Sequence, residues 1–258
     1  MGVYSNLDQR DIEQMVGQYD RGTLTHWSAI ASGIENSNFL VELTAFDDQT
    51  KYILTLIEVA DFRRSQEIVD LMTHLKFYGC TLPDVVTSRS NQRLLSFRDS
   101  PVTLCTWLPG RHVTHPTLAH CDQLGRTLAQ FHQVASAFRP PTHQPYDAEW
   151  LATAIDSYAA ERSTNERQAL HHALSLYDDL LGANLPTGWT HGDAFRDNIC
   201  FYRTALSAAC SIIFTLARIL SLWISQLPST TGAEQWLAAR AGNSPQTHCF
   251  KVTKRFVH

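Results

Sequence analysis

Two features that would point to particular classes of protein are missing from this sequence of 258 residues. It lacks a basic excess, because the formal net charge is -4, whereas nucleic-acid-binding proteins concentrate lysine and arginine on one surface. It also lacks paired cysteines, since its six cysteines stand far apart, without a C-x-x-C pair or metal-ligand spacing. We therefore expect no nucleic-acid partner, and we expect isolated thiols.

The N-terminus lacks the character of a signal peptide, because residues 1–15 are polar and acidic where a secretory signal needs a basic start and an apolar run. This predicts a cytoplasmic protein. One strongly apolar stretch, residues 205–227, raises the alternative of a membrane helix, but Arg218 inside it would cost roughly 2.5–3.5 kcal/mol on insertion. We therefore expect no membrane partner, and a membrane-anchored protein is the weakest alternative.

What the chain does contain is enough apolar residues, 44% of the total, to bury a core. Apolar residues recur at helical or strand spacing through the first 107 residues. These patterns predict a helix over 8–19, a hairpin of strands 38–44 and 51–58, a helix over 65–77 that ends at Gly79, and strands over 94–97 and 102–107.

The character of the sequence changes after Leu108-Pro109-Gly110, which breaks the last of these strands. Helical spacing then predicts helices over 120–134, with Thr117 as its cap, over 151–158 and over 170–181. A β-rich half followed by a helical half suggests two lobes with a ligand-binding cleft between them.

The most informative stretch is His191-Gly-Asp193, which is followed at the fifth residue by Asn198, giving H-x-D-x-x-x-x-N. Phosphoryl transfer to a hydroxyl needs a carboxylate beside the attacking oxygen and a ligand for the magnesium ion that neutralises the phosphates. Asp193 and Asn198 supply these two groups. The alternative is structural, with Asp193 capping a helix and Asn198 in a turn.

Further motifs allow a family to be named. They are G-I-E-N-S-N-F (33–39), Y-I-L-T-L-I-E (52–58), T-W-L-P-G (106–110) and H-C-x-x-L-G-x-x-L-A-x-F-H (120–132), in the same order and at similar intervals. Together with H-G-D-A-F-R-D-N (191–198), they resemble type II homoserine kinases, of the aminoglycoside phosphotransferase and choline kinase-like group. The resemblance implies a bilobal, protein-kinase-like α+β fold with a β-rich N-lobe and a mainly helical C-lobe.

The resemblance also implies an activity, which is transfer of the γ-phosphate of ATP to L-homoserine, with Mg²⁺, in threonine biosynthesis. Asp193 would be the catalytic base and Asn198 a metal ligand. The loop containing Gly33 would cover the ATP phosphates, with polar contacts from Asn36, Ser37 and Asn38. The alternative for these residues is an ordinary loop that leads into a strand.

Thr55 occupies the strand position where protein kinases carry a phosphate-pairing lysine. Type II homoserine kinases are similar to this sequence at that position, so Thr55 is assigned to the nucleotide site. Glu67, on the following helix, is expected to be a solvated surface residue rather than the helix glutamate of the kinase fold.

The resemblance ends at about Tyr202. A kinase needs a second metal ligand, an aspartate after the catalytic loop, but no aspartate follows Asn198 and Glu234 is the sole acidic residue beyond it. If the codons for residues 211–233 are read one nucleotide earlier, they permit an amino-acid sequence that resembles the segment expected in the family after the catalytic loop. We therefore expect a chain that is truncated and frameshifted, with an N-lobe (1–106), a helical C-lobe (107–202) and an aberrant tail (203–258).

Two other functions stay open from the sequence. One is phosphorylation of another small molecule, of the aminoglycoside or choline type. The other is a non-catalytic nucleotide-binding remnant, which the missing aspartate favours. If the chain is a homoserine kinase, the loss of that aspartate is expected to impair its catalysis.

Overall fold

The computed structural model describes residues 7–30, 36–58, 60–140, 148–159, 162–182, 188–192, 194, 198–202 and 208–210. The apolar run of residues 205–227 therefore lies, apart from 208–210, outside the described residues. Among the helices in the described ranges, none is long and apolar enough to cross a membrane.

The N-terminal helix α1 (Gln9–Val16) confirms the first helix predicted from the sequence. Asp8 caps it in a reciprocal arrangement, in which its side chain accepts from the Asp11 N–H and the Asp11 side chain accepts from the Asp8 N–H. Ile12 and Met15 are fully buried on its inner face. Arg98 forms an ion pair with Asp11, which ties α1 to a hairpin almost ninety residues later in the chain.

An antiparallel sheet of five strands, in the order β1-β2-β3-β5-β4, forms the scaffold of this region. Its strands are β1 (Thr23–Ala29), β2 (Asn36–Ala45), β3 (Asp48–Ile57), β4 (Leu95–Phe97) and β5 (Ser100–Thr106). Two-residue turns with both φ angles positive join β2 to β3 and β4 to β5, at 46–47 and 98–99. The predicted hairpin and the two later strands are thus confirmed.

Strand β1 was not predicted, for a physical reason that its register shows. The pairing of β1 with β2 shifts between Leu24 and His26, so Leu24 and Trp27, three residues apart, both pack against the core. This irregularity breaks the alternation that identifies a strand in a sequence. β1 is also an edge strand whose other residues are mostly exposed.

Helix α2 (Phe62–Phe77) begins three residues earlier than predicted, because Asp61 caps it by accepting from the Arg64 N–H at 2.8 Å. It ends as predicted at Gly79, whose φ of +81° is in the left-handed region. The next residue, Cys80, donates its N–H to the Leu75 carbonyl at 3.0 Å, as in a helix C-terminal motif.

The described part of residues 115–194 contains the helices α3 (Leu118–Ala135), α4 (Ala148–Ala159) and α5 (Thr164–Gly182). Thr117 caps α3, as predicted, in a capping box with His120. α5 starts six residues before the predicted Leu170, where the Ser163 and Glu166 side chains form a reciprocal N-terminal arrangement. α4 and α5 contact each other.

The described chain divides into two compact units. One contains α1, α2 and the five-stranded sheet, together with two short paired strands, β6 (Ile199–Phe201) and β7 (Ala208–Cys210). The other contains α3 to α5 and residues 188–192 and 194.

Free thiols are buried at Cys80, Cys105 and Cys200. Cys121 is disulfide-bonded, so the expectation of isolated thiols is wrong for that residue.

Candidate active site

Four of the predicted nucleotide-binding residues lie together at the paired ends of β2 and β3. Asn38 pairs with Thr55 in the ladder, and the Thr55 hydroxyl donates to Asn38 Oδ1 at 2.8 Å. Thr55 is buried, and Thr103 of β5 pairs with it on its other side. A polar row of Asn38, Thr55 and Thr103 therefore crosses three strands of the sheet.

The register also shows which face of the sheet carries this row. Phe39, Leu54 and Leu104 pair side by side and belong to the hydrophobic cluster formed with α1. Because side chains alternate between faces, the Asn38 and Thr55 side chains lie on the opposite face from α1.

Glu58, the residue directly after β3, binds both residues that begin β2. Its backbone N–H donates to Asn36 Oδ1 at 3.1 Å, and its carboxylate accepts from the Ser37 hydroxyl at 3.1 Å. Asn36 and Ser37 are buried, with 3% and 0% of their surface exposed. Glu58 thus holds the start of β2, a role the sequence did not reveal although the residue closes the Y-I-L-T-L-I-E motif.

Glu67 of α2 is buried, with 5% of its surface exposed. The prediction that it is a solvated surface residue is therefore wrong. The reason is that α2 buries positions over more than one face, among them Ser65, Glu67, Ile68 and Val69, so helical spacing alone did not identify the buried polar position.

Asn198 is buried immediately before β6, at 5% exposure. The following strand is held by the segment after Gly110. Arg111 and Phe201 exchange two backbone hydrogen bonds, at 3.1 and 2.9 Å, and the His112 ring Nδ1 lies 3.0 Å from the Ile199 carbonyl oxygen. The predicted strand after the catalytic motif is thus confirmed.

Gly110 is needed where this segment meets β6. A Cβ atom on Gly110 would lie 2.7 Å from the Cys200 Cβ and 3.4 Å from the Cys200 carbonyl carbon. Only a glycine allows this approach without a shift of one of the two backbones. Gly110, which breaks the strand pattern in the sequence, is therefore also the residue that allows close packing against Cys200.

The start of the catalytic motif is anchored to residues 138–139, which follow the end of α3. The indole Nε1–H of Trp189 donates to the Arg139 carbonyl at 2.7 Å, and the Trp189 ring lies 6.3 Å from the Phe138 ring. Trp189 and His191 are both buried at 2% exposure. Burial, with His191 nearby, lowers the pKa of His132 on α3 to about 4, which keeps that imidazole neutral near pH 7.

A family model described as the phosphotransferase enzyme family matches residues 26–208, which is well over half of the chain. The chain belongs to this family. The matched range includes Asn36, Ser37 and Asn38 at the start of β2, and Asn198.

Curated relatives of this phosphotransferase include homoserine kinases. It is 34% identical to that of Xanthobacter autotrophicus over 225 residues, which cover 86% of this chain and 69% of the relative. It is 30% identical to that of Azorhizobium caulinodans over 254 residues, which cover 94% of this chain and 78% of the relative.

Solved structures similar to this phosphotransferase show the fold. An aminoglycoside phosphotransferase from Alicyclobacillus acidocaldarius superposes with a TM-score of 0.65 at 18% identity, covering 98% of this chain and 78% of that one. An amicoumacin kinase in complex with AMP-PNP and Ca²⁺ superposes with a TM-score of 0.64 at 15% identity, covering 79% and 63%. The predicted α+β, protein-kinase-like fold is confirmed.

The structure describes five of the seven predicted site residues of this phosphotransferase. Four of them form one hydrogen-bonded group with Glu58, namely Asn36, Ser37, Asn38 and Thr55. The fifth, Asn198, is buried before β6. Gly33 and Asp193 lie outside the described residues. Their assignment as loop glycine and catalytic base stays a prediction, as do the roles assigned to the other five residues.

Proposed function

We propose that this phosphotransferase is a homoserine kinase, which transfers the γ-phosphate of ATP to the hydroxyl of L-homoserine in threonine biosynthesis. The observation that carries the proposal is the similarity to homoserine kinases at 30–34% identity over 86–94% of the chain. The solved antibiotic phosphotransferases and kinases, at 15–18% identity, support the fold alone.

In the proposed reaction, the homoserine hydroxyl oxygen forms a bond to the γ-phosphorus while the bond to the departing ADP oxygen breaks. Asp193 accepts the hydroxyl proton and orients the attacking oxygen. Catalysis of this kind is mostly positioning and charge stabilisation, so we assign the anchored segment around Trp189 the task of holding Asp193 in place.

Asn198 has the chemistry of a ligand for Mg²⁺, because hard cations bind amide and carboxylate oxygens. Mg²⁺ would neutralise phosphate charge when bound. Among the described residues, no group of three or more His, Cys, Asp or Glu side chains is arranged so that it could hold a metal ion. We therefore propose Asn198 as a ligand for Mg²⁺ and propose no other metal ligand among the described residues.

We propose a cytoplasmic location, a small-molecule substrate and no nucleic-acid or membrane partner. The formal net charge of -4, without a basic excess, supports the absence of a nucleic-acid partner. The nucleotide region is proposed to comprise Gly33, Asn36, Ser37, Asn38 and Thr55. The division into residues 1–106, 107–202 and an aberrant tail of 203–258 stays a proposal.

The test is ATP-dependent phosphorylation of L-homoserine, choline and an aminoglycoside by the purified chain, followed by mass spectrometry of the acceptor. We expect phosphohomoserine, and Asp193→Asn should lower the rate by about 10²–10⁴ because a general base is lost. Asp178→Asn, an exposed position on α5, serves as the matched control. Turnover of another acceptor with none of homoserine would contradict the proposal.

One observation favours a second candidate, a nucleotide-binding protein without turnover. No aspartate follows Asn198 in the sequence, so the usual second metal ligand of a kinase is missing from this chain. Magnesium-dependent binding of ATP with no phosphorylated product would support it. Sequencing the codons for residues 193–233 then tells whether the gene itself carries the change of reading frame.

A further inference from the structure

Residues 110–112 run along one edge of β6, the short strand that begins directly after Asn198. Arg111 and Phe201 exchange both of their backbone hydrogen bonds, and β7 pairs with β6 on the other edge. Along an antiparallel strand, the backbone groups of successive residues point to alternate edges. The Ile199 carbonyl, two residues before Phe201, therefore points to the same edge as the Phe201 carbonyl, toward residues 110–112.

A regular antiparallel ladder would satisfy the Ile199 carbonyl with a backbone N–H of the neighbouring chain. Among the residues described on this edge, the main-chain pairing is a single bridge of Arg111 and Phe201, and the His112 side chain supplies the donor instead. Its Nδ1 lies 3.0 Å from the carbonyl oxygen. Since a carbonyl can only accept, Nδ1 carries the proton, which fixes the tautomer of the neutral ring.

A second contact holds the His112 ring against β6. The Cys200 Sγ lies 3.9 Å from each of the two ring nitrogens. Gly110 lets the two chains approach this closely, because a side chain there would collide with Cys200. His112 is otherwise exposed to solvent, so contacts with β6, rather than burial in a core, place its ring.

The Ile199 backbone matters because it is bonded directly to Asn198, the proposed ligand for Mg²⁺. Asn198 is buried, so its side-chain amide lies where its backbone puts it. β6 has three residues, and a contact at its first residue therefore has a large effect on the position of Asn198. Residues that hold a metal ligand without touching the metal commonly change the metal affinity 10- to 100-fold when they are mutated, by general experience of about that size.

We propose that His112 is a positioning residue for the metal site. Its Nδ1–H, donated to the Ile199 carbonyl, holds the backbone next to Asn198 and thereby the amide oxygen that binds Mg²⁺. Both residues belong to the same compact unit. The inference rests on the proposed function, and it adds a residue that touches neither the nucleotide nor the metal.

The test measures binding of Mn²⁺, which shares the preference of Mg²⁺ for oxygen ligands, by electron paramagnetic resonance with saturating AMP-PNP. His112→Ala removes the donor and should raise the Kd for Mn²⁺ about 10-fold. In His112→Asn the side-chain amide nitrogen can take the place of Nδ1, so the Kd should stay within about three-fold of wild type. In His112→Gln that nitrogen takes the place of Nε2, so the loss should match that of His112→Ala.

Two controls separate positioning from general damage to the fold. The affinity for AMP-PNP without metal, measured by calorimetric titration, should be the same in every variant. His115→Ala, at an exposed histidine three residues later, should leave the Kd for Mn²⁺ within about two-fold of wild type. Equal losses in His112→Asn and His112→Ala would overturn the inference. Should His112→Ala fail to fold, His112→Gln and His112→Asn make the same comparison.

A double variant tests whether His112 acts through Asn198. If it does, adding His112→Ala to Asn198→Ala should weaken Mn²⁺ binding by less than about two-fold, because the first change has already removed the ligand that His112 positions. Losses that simply add would mean that His112 acts independently of Asn198, and they would overturn the inference.

Failure of this inference is distinguishable from failure of the proposed function. If the His112 variants lose Mn²⁺ affinity as expected but homoserine is not phosphorylated, the proposed activity is wrong and the role of His112 is supported. If the wild type binds Mn²⁺ with AMP-PNP and His112→Ala binds it within about two-fold, the role of His112 alone is wrong. A wild type that binds no Mn²⁺ with AMP-PNP would overturn the metal site, and this inference with it.

Discussion

The ladder of β2 and β3 and the segment from Gly188 to Tyr202 hold their candidate residues by different means. In the ladder, ten successive residue pairs from Asn36–Ile57 to Ala45–Asp48 fix each side chain through the register. In the described part of the segment, the contacts lie at separate points. They include the Trp189 hydrogen bond to Arg139, the backbone pair of Arg111 and Phe201, and the short pairing of β6 with β7. Each position in the long ladder is therefore supported by pairs on both sides, whereas the segment is held at separate points along its length.

This difference predicts that conservative substitutions destabilise the protein more around the segment than in the ladder. The free energy of unfolding or the melting temperature of each variant tests whether substitutions around the segment are the more destabilising ones.

The largest effect is expected for Gly110→Ala. The added Cβ would lie 2.7 Å from the Cys200 Cβ, so one backbone must move, at a cost of about 3 kcal/mol in the free energy of unfolding. Gly188→Ala is the matched control, because its Cβ would meet no atom within 4 Å. Equal denaturant midpoints for the two variants would show that the strand after the motif tolerates displacement.

The second-largest effect is expected in the pH dependence of stability, because of His132. Its pKa is lowered from 6.5 to about 4 in the folded state, chiefly by burial, so below pH 6.5 the unfolded chain binds a proton that the folded chain does not. The stabilisation is present above pH 6.5 and is lost as the pH falls toward 4. Between pH 7 and 4.5 we expect a loss of about 2 kcal/mol.

Replacing His132 with Gln should remove that part of the acid destabilisation, seen as a smaller fall in melting temperature between pH 7 and 4.5. His26→Gln, on the exposed surface of β1, should leave the wild-type slope unchanged. An unaltered slope in His132→Gln would mean that other groups cause the acid sensitivity of the helical unit.

The third-largest loss of stability is expected for Trp189→Phe. Phenylalanine keeps an aromatic ring beside Phe138 but removes the indole N–H, which leaves the Arg139 carbonyl without that donor and should cost about 1.5 kcal/mol. Trp107→Phe, at a half-exposed tryptophan, should cost less than about 0.5 kcal/mol. If both variants have the same melting temperature, the hydrogen bond to Arg139 does not anchor the segment.

The smallest effect is expected in the ladder, for Thr55→Val. Valine matches threonine in shape, so what is lost is the 2.8 Å bond to Asn38, at about 1 kcal/mol. Thr50→Val, at an exposed position of the same strand, is the control, with a change below about 0.5 kcal/mol. A loss at Thr55 that exceeds the loss at Gly110 would reverse the comparison between the two regions.

The local signals in the sequence predicted α1, the β2–β3 hairpin and the capped start of α3, because each depends on neighbours within a few residues. β1 was missed because its bulge puts Leu24 and Trp27 on one face at an odd spacing. The burial of Glu67 was missed because it depends on what packs around α2, which no local pattern records.

The sequence by itself determined the family motifs and the order of the helices and strands other than β1, since these follow from residue type and spacing. Only the tertiary structure decided that Glu58 binds both Asn36 and Ser37, and that Arg139, in the segment after α3, accepts the hydrogen bond from Trp189. Those contacts join residues 21 to 50 positions apart, and folding alone brings them together.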